Sequence, residues 1–377
     1  MRYFLLLFTI SLSLLCILLS QTKRVELNSV PKSTPISSKD TLRLLFVGDL
    51  MQHQEQINAA YTTKEYDYSS YFKYVTEEIK KADFAIANLE VTFGGKPYKG
   101  YPTFSAPDEY LTAIYQAGFN VLLTANNHCL DKRRKGLERT IYLLDSMNIL
   151  HAGTYKNYAE REKKYPLLLQ KNNFRIAILN YTYGTNGIPV TSPNIVNYID
   201  TAIISNDIKK CKELNSDIII ACMHWGIEYK TLPNDEQKSL AKWLLKKGVD
   251  HIIGSHPHVI QPIEIQHYND KKHLVVYSLG NYISNMSARH TDGGLMVKME
   301  LTKDSIAHLS DYKYSLVWTA RPVQSGKKNY QLYPINIQTD SLSNSLNNSL
   351  RKFANDTREF FHKLNIKDKE YFFYKKK

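Results

Sequence analysis

Short apolar runs recur along this chain, and most of them stop at an Asp, Glu, Asn or His. Residues 42–47, 84–87, 121–124, 174–179, 218–223, 251–253 and 274–277 have strand character. Between them, residues 71–81, 108–117, 135–147, 203–214 and 236–247 space their apolar side chains three and four apart, as amphipathic helices do. Gly118 and Gly248 fall just past two of these stretches, where a left-handed cap favours glycine. Strand and helix alternate, which predicts an α/β fold. Residues 293–301 and 312–319 read as two more strands that complete a second sheet, and residues 339–377 read as a polar, basic helical tail with aromatics near its end.

The polar residues sit where such a fold builds sites. In open α/β sheets, ligands bind outside the carboxyl ends of the strands, where loops can aim side chains into one crevice. The first strand runs into Gly48-Asp49-Leu50-Met51 and the second into Asn88-Leu89-Glu90, which places two carboxylates. Asp49 alone would read as a turn or cap residue. The third strand meets Asn126-Asn127-His128 with Asp131 close behind, three amide and imidazole groups that are costly to bury without partners. Residues 218–223 deliver His224, and residues 249–253 deliver Gly254-Ser255-His256-Pro257-His258, where a turn at Pro257 can aim both imidazoles at one cluster. Two carboxylates, an amide and three histidines from five strand ends supply the mixed oxygen and nitrogen donors of a two-metal site.

Charge and the N-terminus narrow the setting. The formal net charge is +13, which favours an anionic partner. The excess is spread over Lys pairs with no basic-aromatic motif, so no nucleic-acid partner is expected. Arg2 precedes an apolar run over residues 3–19 and then Gln21, Thr22, Lys23 and Arg24, the layout of an export signal. We therefore expect a signal peptide or signal anchor at 1–24, a linker at 25–40, one domain at 41–335 and a helical basic tail at 336–377. The protein is expected to be exported, in the cell envelope, with membrane association through its N-terminus. Of four cysteines, Cys16 lies in the leader, and the other three make no disulfide framework.

In this order, the motifs resemble the bacterial capsule synthesis family typified by poly-gamma-glutamate assembly proteins, a branch of the calcineurin-like metallophosphoesterases. The resemblance also takes in Phe104-Ser105-Ala106-Pro107, Gly136, His224-Trp225-Gly226 with Glu228, and Ser278-Leu279-Gly280-Asn281-Tyr282. It implies a sandwich of two sheets flanked by helices, holding one or two divalent ions (Mn, Fe, Zn or Mg). Asp49 would ligate the first metal and Glu90 would bridge. Asn127, His224 and His256 would hold the second, and His258 would return to the first. His128 would be the proton donor, oriented by Asp131, with Asn281 near the same crevice. One departure stands out: Met51 occupies a position where calcineurin-like enzymes carry a ligand histidine, for which His53 is a candidate substitute.

The activity implied is hydrolysis of a phosphoester or of an anionic polymer, beside a membrane-bound capsule synthase as a partner. Two rivals stay open. One is a non-catalytic component that binds, exports or anchors the polymer, favoured by Met51. The other is a nucleic-acid phosphodiesterase, disfavoured by the leader.

Overall fold

The computed structural model describes residues 40–269, 271–337, 342–366 and 369–374. The expected leader, and all of the expected linker except Asp40, lie outside the described residues. Among the described residues no helix is long and apolar enough to cross a membrane.

The strands, in chain order, are β1 (Asp40–Leu50), β2 (Phe84–Leu89), β3 (Val121–Leu123), β4 (Leu150–Ala152), β5 (Thr154–Tyr155), β6 (Leu167–Lys171), β7 (Phe174–Thr182) and β8 (Ile195–Val196). They continue with β9 (Ile218–His224), β10 (His251–Ser255), β11 (Ile263–Tyr268), β12 (Lys271–Val276), β13 (Asn281–Ile283), β14 (Gly293–Lys303), β15 (Ala307–Ala320) and β16 (Gln331–Pro334). One sheet has the order β16-β15-β14-β1-β2-β3-β4, with β13 pairing β1, and the other has the order β11-β12-β10-β9-β7-β6. Strands β1 to β4 run parallel, as do β7, β9, β10 and β12. Each sheet therefore turns a set of carboxyl ends toward one edge.

Alternation along β1 shows how the layers form. Leu42, Leu44 and Phe46 enter a core shared with Ile176, Ile178, Ile220 and Ile252 of the other sheet. Leu45 and Val47 point the opposite way, into a second core with Tyr110, Leu111 and Ile114 of helix Asp108–Gln116. A strand buried on both faces reads as a continuous apolar run, and each such side chain contributes roughly 1.5–3 kcal/mol on burial. Helices Thr201–Glu213 and Asp235–Lys247 add Ile204, Ile208, Leu244 and Leu245 to the first of these cores. The result is a sandwich of two sheets flanked by helices.

Local chemistry explains the helix limits. The Asp200 side chain accepts from the N–H groups of Ala202 and Ile203, and Asn234 caps the helix that ends at Gly248, which has φ +106.

Three expectations need correction. Only Thr76–Ile79 is helical within 71–81. Tyr71 is instead held in a turn, its ring packed edge-on against Tyr68 and Tyr110, so tertiary aromatic packing overrides the local pattern. Strands β14 and β15 do not complete a second sheet of their own: β14 pairs antiparallel with β1, from Asp40 opposite Lys303 to Val47 opposite Met296. The C-terminal segment is helical over Asn344–Lys363, its buried Leu346, Leu350, Phe353 and Phe361 part of the main core. Beyond it, Tyr314 N–H donates to the carbonyl of Lys369 and Tyr371 N–H to that of Tyr314, so the chain runs extended along β15. Cys129, Cys211 and Cys222 are buried free thiols.

Candidate metal centre

Two close approaches of backbone bring the strand ends together. A Cβ on Gly48 would lie 1.8 Å from the carbonyl oxygen of Gly280, and one on Gly254 would lie 1.9 Å from that of Tyr277. Only glycine at these positions lets the loop after β12 pass so near β1 and β10. Asp49 then stands in parallel register with Asn281.

Around this junction the six expected donors converge. Donor atoms of Asp49, Glu90 and His258 lie within 4.8 Å of one another, and so do those of Glu90, His224 and His256. Glu90 belongs to both groups. His224 Nε2 is 2.9 Å from Asn127 Oδ1, which brings the amide to the second group. His258 Nδ1 lies 3.3 Å from Asp49 Oδ2 and 3.0 Å from Asn281 Oδ1. Both His256 (φ +100) and His258 (φ +59) adopt left-handed backbone, a cost of roughly 1–3 kcal/mol each that persists only where the surroundings over-determine it.

Burial and mutual proximity shift several of these groups strongly. Burial raises the Glu90 carboxyl well above its usual range, and the neighbouring Asp49 carboxylate adds to this. Burial holds His224 well below its ordinary value, and holds His256 down at about 3, with the other site histidines adding to both effects. His258 feels the same burial, but the Asp49 carboxylate outweighs it and the net direction is up. Although buried, Glu90 Oε1 and His256 Nδ1 have no hydrogen-bond partner, and Asp49 Oδ2 meets only the ion-pair contact with His258 Nδ1 at 3.3 Å. Such groups are expensive to leave unpaired. A divalent cation satisfies them together, and the mixed carboxylate, amide and imidazole set fits one.

Next to these donors, His128 Nδ1 lies 2.8 Å from Asp131 Oδ2, which also accepts the Phe104 N–H at 2.7 Å. The Phe104 ring meets the imidazole edge-on at 4.6 Å. An acidic partner at Nδ1 favours the tautomer with its proton there and leaves Nε2 outside this pair.

Position 51 behaves differently. The Met51 side chain is buried in the apolar core with Leu50 and Tyr68, and supplies nothing to the centre. His53 is in none of the donor groups, and its Nδ1 meets Gln56 Oε1 at 3.2 Å and the Asn285 N–H at 3.3 Å. Among the described residues, the candidate substitute His53 therefore stands outside the donor groups.

Several neighbours were not anticipated from the sequence. Asn88 Nδ2 reaches Asp49 Oδ1 at 2.7 Å, Glu90 Oε2 at 3.1 Å and His224 Nδ1 at 3.3 Å, tying three donors to one amide. Glu228 forms a further donor group with His256 and His258. Asn186 lies within hydrogen-bond reach of Asn127 and His128. Half-exposed Tyr183 and Tyr229, and exposed Tyr101, stand 4.5, 6.2 and 6.3 Å from the rings of His256, His258 and His128. Polar residues after β7 were a signal available for Tyr183 and Asn186. A separate cavity of about 660 Å³, lined by Leu232, Ile263, Tyr312 and Ile366 among others, includes none of the donors.

Comparison with known proteins places the chain. A solved calcineurin-like phosphoesterase, YfkN from Bacillus subtilis, aligns over 86% of this chain and 99% of its own at 14% identity and a TM-score of 0.44. The capsule biosynthesis protein CapA of Bacillus anthracis is 28% identical over 313 residues, covering 80% of this chain and 74% of that protein. The PGA biosynthesis protein CapA of Bacillus subtilis (strain 168) is 30% identical over 279 residues, covering 71% and 70%. The family model described as bacterial capsule synthesis protein PGA_cap matches residues 43–286, which include every donor named above. By this match, the chain belongs to the bacterial capsule synthesis protein PGA_cap family.

Proposed function

We propose that this chain is an exported capsule-synthesis protein that uses a divalent metal centre to hydrolyse a phosphoester or a bond in an anionic capsule polymer of the poly-gamma-glutamate type. The observation that carries the reading is the convergence of buried Asp49, Glu90, His224, His256 and His258, with Glu90 Oε1 and His256 Nδ1 unpartnered, beside the His128–Asp131 pair. Asp49, Glu90 and His258 would hold one ion, and Glu90, Asn127, His224 and His256 a second, with Mn, Fe, Zn or Mg as candidates. When bound, such ions lower the pKa of water and polarise the oxygen under attack. His128 holds the proton for the departing group at Nε2, and Asp131 keeps its ring in place. The net charge of +13 draws an anionic chain toward the protein.

With manganese added, purified protein should hydrolyse a chromogenic phosphodiester or shorten poly-gamma-glutamate, and His128→Ala should lower the rate by about 10²–10⁴-fold. Equal rates for the two proteins would remove His128 from the chemistry. Export and N-terminal membrane association, beside a membrane-bound synthase, rest on the apolar run over 3–19. Fractionation of cells making a tagged chain tests this part, and a cytosolic pool alone would end it.

Met51 favours a second reading. With its side chain in the apolar core, one donor group has only Asp49, Glu90 and His258. A metal-free protein that binds and anchors the polymer follows if no metal co-purifies and polymer binding survives a chelator.

A further inference from the structure

We propose that Glu228 is a metal ligand of this centre, a donor from the second sheet that makes up for the one position 51 does not supply. The inference rests on the metal-binding reading above. A carboxylate oxygen of Glu228 and one ring nitrogen each of His256 and His258 lie within 4.8 Å of one another. His258 also belongs to the Asp49 group and His256 to the His224 group, so Glu228 reaches one histidine of each. His256 Nδ1 is buried without a partner.

The backbone holds Glu228 against these histidines. Trp225 N–H donates to the Ser255 carbonyl at 3.1 Å, and Tyr229 N–H to the Pro257 carbonyl at 2.8 Å, so the two loops are joined on both sides of Glu228. Within that short span, Gly226 has φ +89 and Tyr229 has φ +65. A Cβ on Gly226 would lie 2.6 Å from the Gln237 side chain. Left-handed backbone at a residue as bulky as Tyr229 is uncommon and clusters at functional sites. The loop after β1 places no further side chain in these donor groups: Met51 is in the core, and His53 belongs to none of them.

Charge is consistent with the assignment. Asp49, Glu90 and Glu228 together carry three negative charges, against four positive charges for two divalent ions. The loaded centre keeps an excess positive charge for an anionic substrate. Unlike Asp49 and Glu90, Glu228 is only partly buried.

The test measures metal rather than turnover. Full-length protein is stripped with a chelator and titrated with Mn²⁺ by calorimetry, and bound manganese per chain is counted by plasma mass spectrometry. Glu228→Gln should weaken the affinity of at least one Mn²⁺ by about tenfold or more, with the same melting temperature as the parent in chelator. Unchanged affinity and stoichiometry would overturn the assignment while leaving the metal centre standing. Failure of the parent protein to bind Mn²⁺ would overturn both. Should Glu228→Gln not fold, Glu228→Ala, which removes the donor altogether, carries the same test, and an unchanged affinity there overturns the assignment equally.

Discussion

The two ends of β10 carry the same residue type in opposite circumstances. His251 opens the strand, and His256 and His258 follow its last residue; all three are buried, with 2%, 3% and 2% of their surface exposed. Burial holds both His251 and His256 at about 3. Neither exposure nor basicity tells them apart. Partners do: His251 Nδ1 accepts the Leu274 N–H at 3.0 Å, whereas His256 Nδ1 has no partner and sits on a backbone with φ +100. Charged pairs repeat the contrast. Arg161 and Asp207 are buried with opposite charges, a contact at 2.6 Å, and further bonds from Arg161 to Asn197 and from Tyr181 to Asp207. Asp49 and Glu90 are two acids buried side by side, and Glu90 Oε1 has no hydrogen-bond partner. Arg161 and Asp207 thus find their partners within the fold, whereas Glu90 Oε1 and His256 Nδ1 do not.

The most severe test exchanges the two ends of the strand. His256→Ala should abolish tight manganese binding and lower turnover by about a hundredfold or more. His251→Ala should instead cost about 1–3 kcal/mol of stability by stranding the Leu274 N–H, with turnover per folded molecule unchanged. Urea unfolding alongside initial rates decides this, and a shared profile for the two variants would erase the distinction.

A smaller but still large effect is expected at the charged pairs. Arg161→Ala should destabilise the fold by about 3–5 kcal/mol, because Asp207 is left buried and alone. Glu90→Gln should have the opposite sign in metal-free protein, raising the melting temperature by removing one of two facing carboxylates. Thermal melts in chelator measure both, and a destabilised Glu90→Gln would mean that the acid pair is structural.

The mildest test uses pH. A histidine whose folded pKa is depressed contributes stability that is fully present above its unfolded value of 6.5 and is lost as pH falls toward the folded value, about 3 for His251. Metal-free His251→Asn, whose amide can still accept the Leu274 N–H, should therefore lose less stability than the parent between pH 7 and pH 5, by roughly 1–2 kcal/mol. Parallel curves would show that His251 does not titrate in this range.

Much of the centre was legible because strand ends announce themselves. Asp49, Glu90, Asn127, His224, His256 and His258 each follow an apolar run, and a buried run with a polar terminus needs no long-range information to be recognised. Asn88 and Glu228 stood within motifs already noted, yet their roles depend on which side chains approach from other strands. The turn at Tyr71 and the pairing of β14 with β1 were hidden for the same reason: aromatic contacts with Tyr68 and Tyr110, and a ladder across more than two hundred residues of chain, leave no local periodicity.

By itself, then, the sequence determined the alternation of strand and helix, the burial of the central strands on both faces, and the donor types at their ends. These follow from side-chain chemistry and the periods of two and 3.6 that backbone geometry imposes. Tertiary structure alone decided that Glu90 stands in two donor groups, that Met51 turns into the core, and that Glu228 reaches His256 and His258. Each of these depends on distances between segments far apart in the chain, and those are set when the two sheets pack and glycines such as Gly48 and Gly254 let their loops close in.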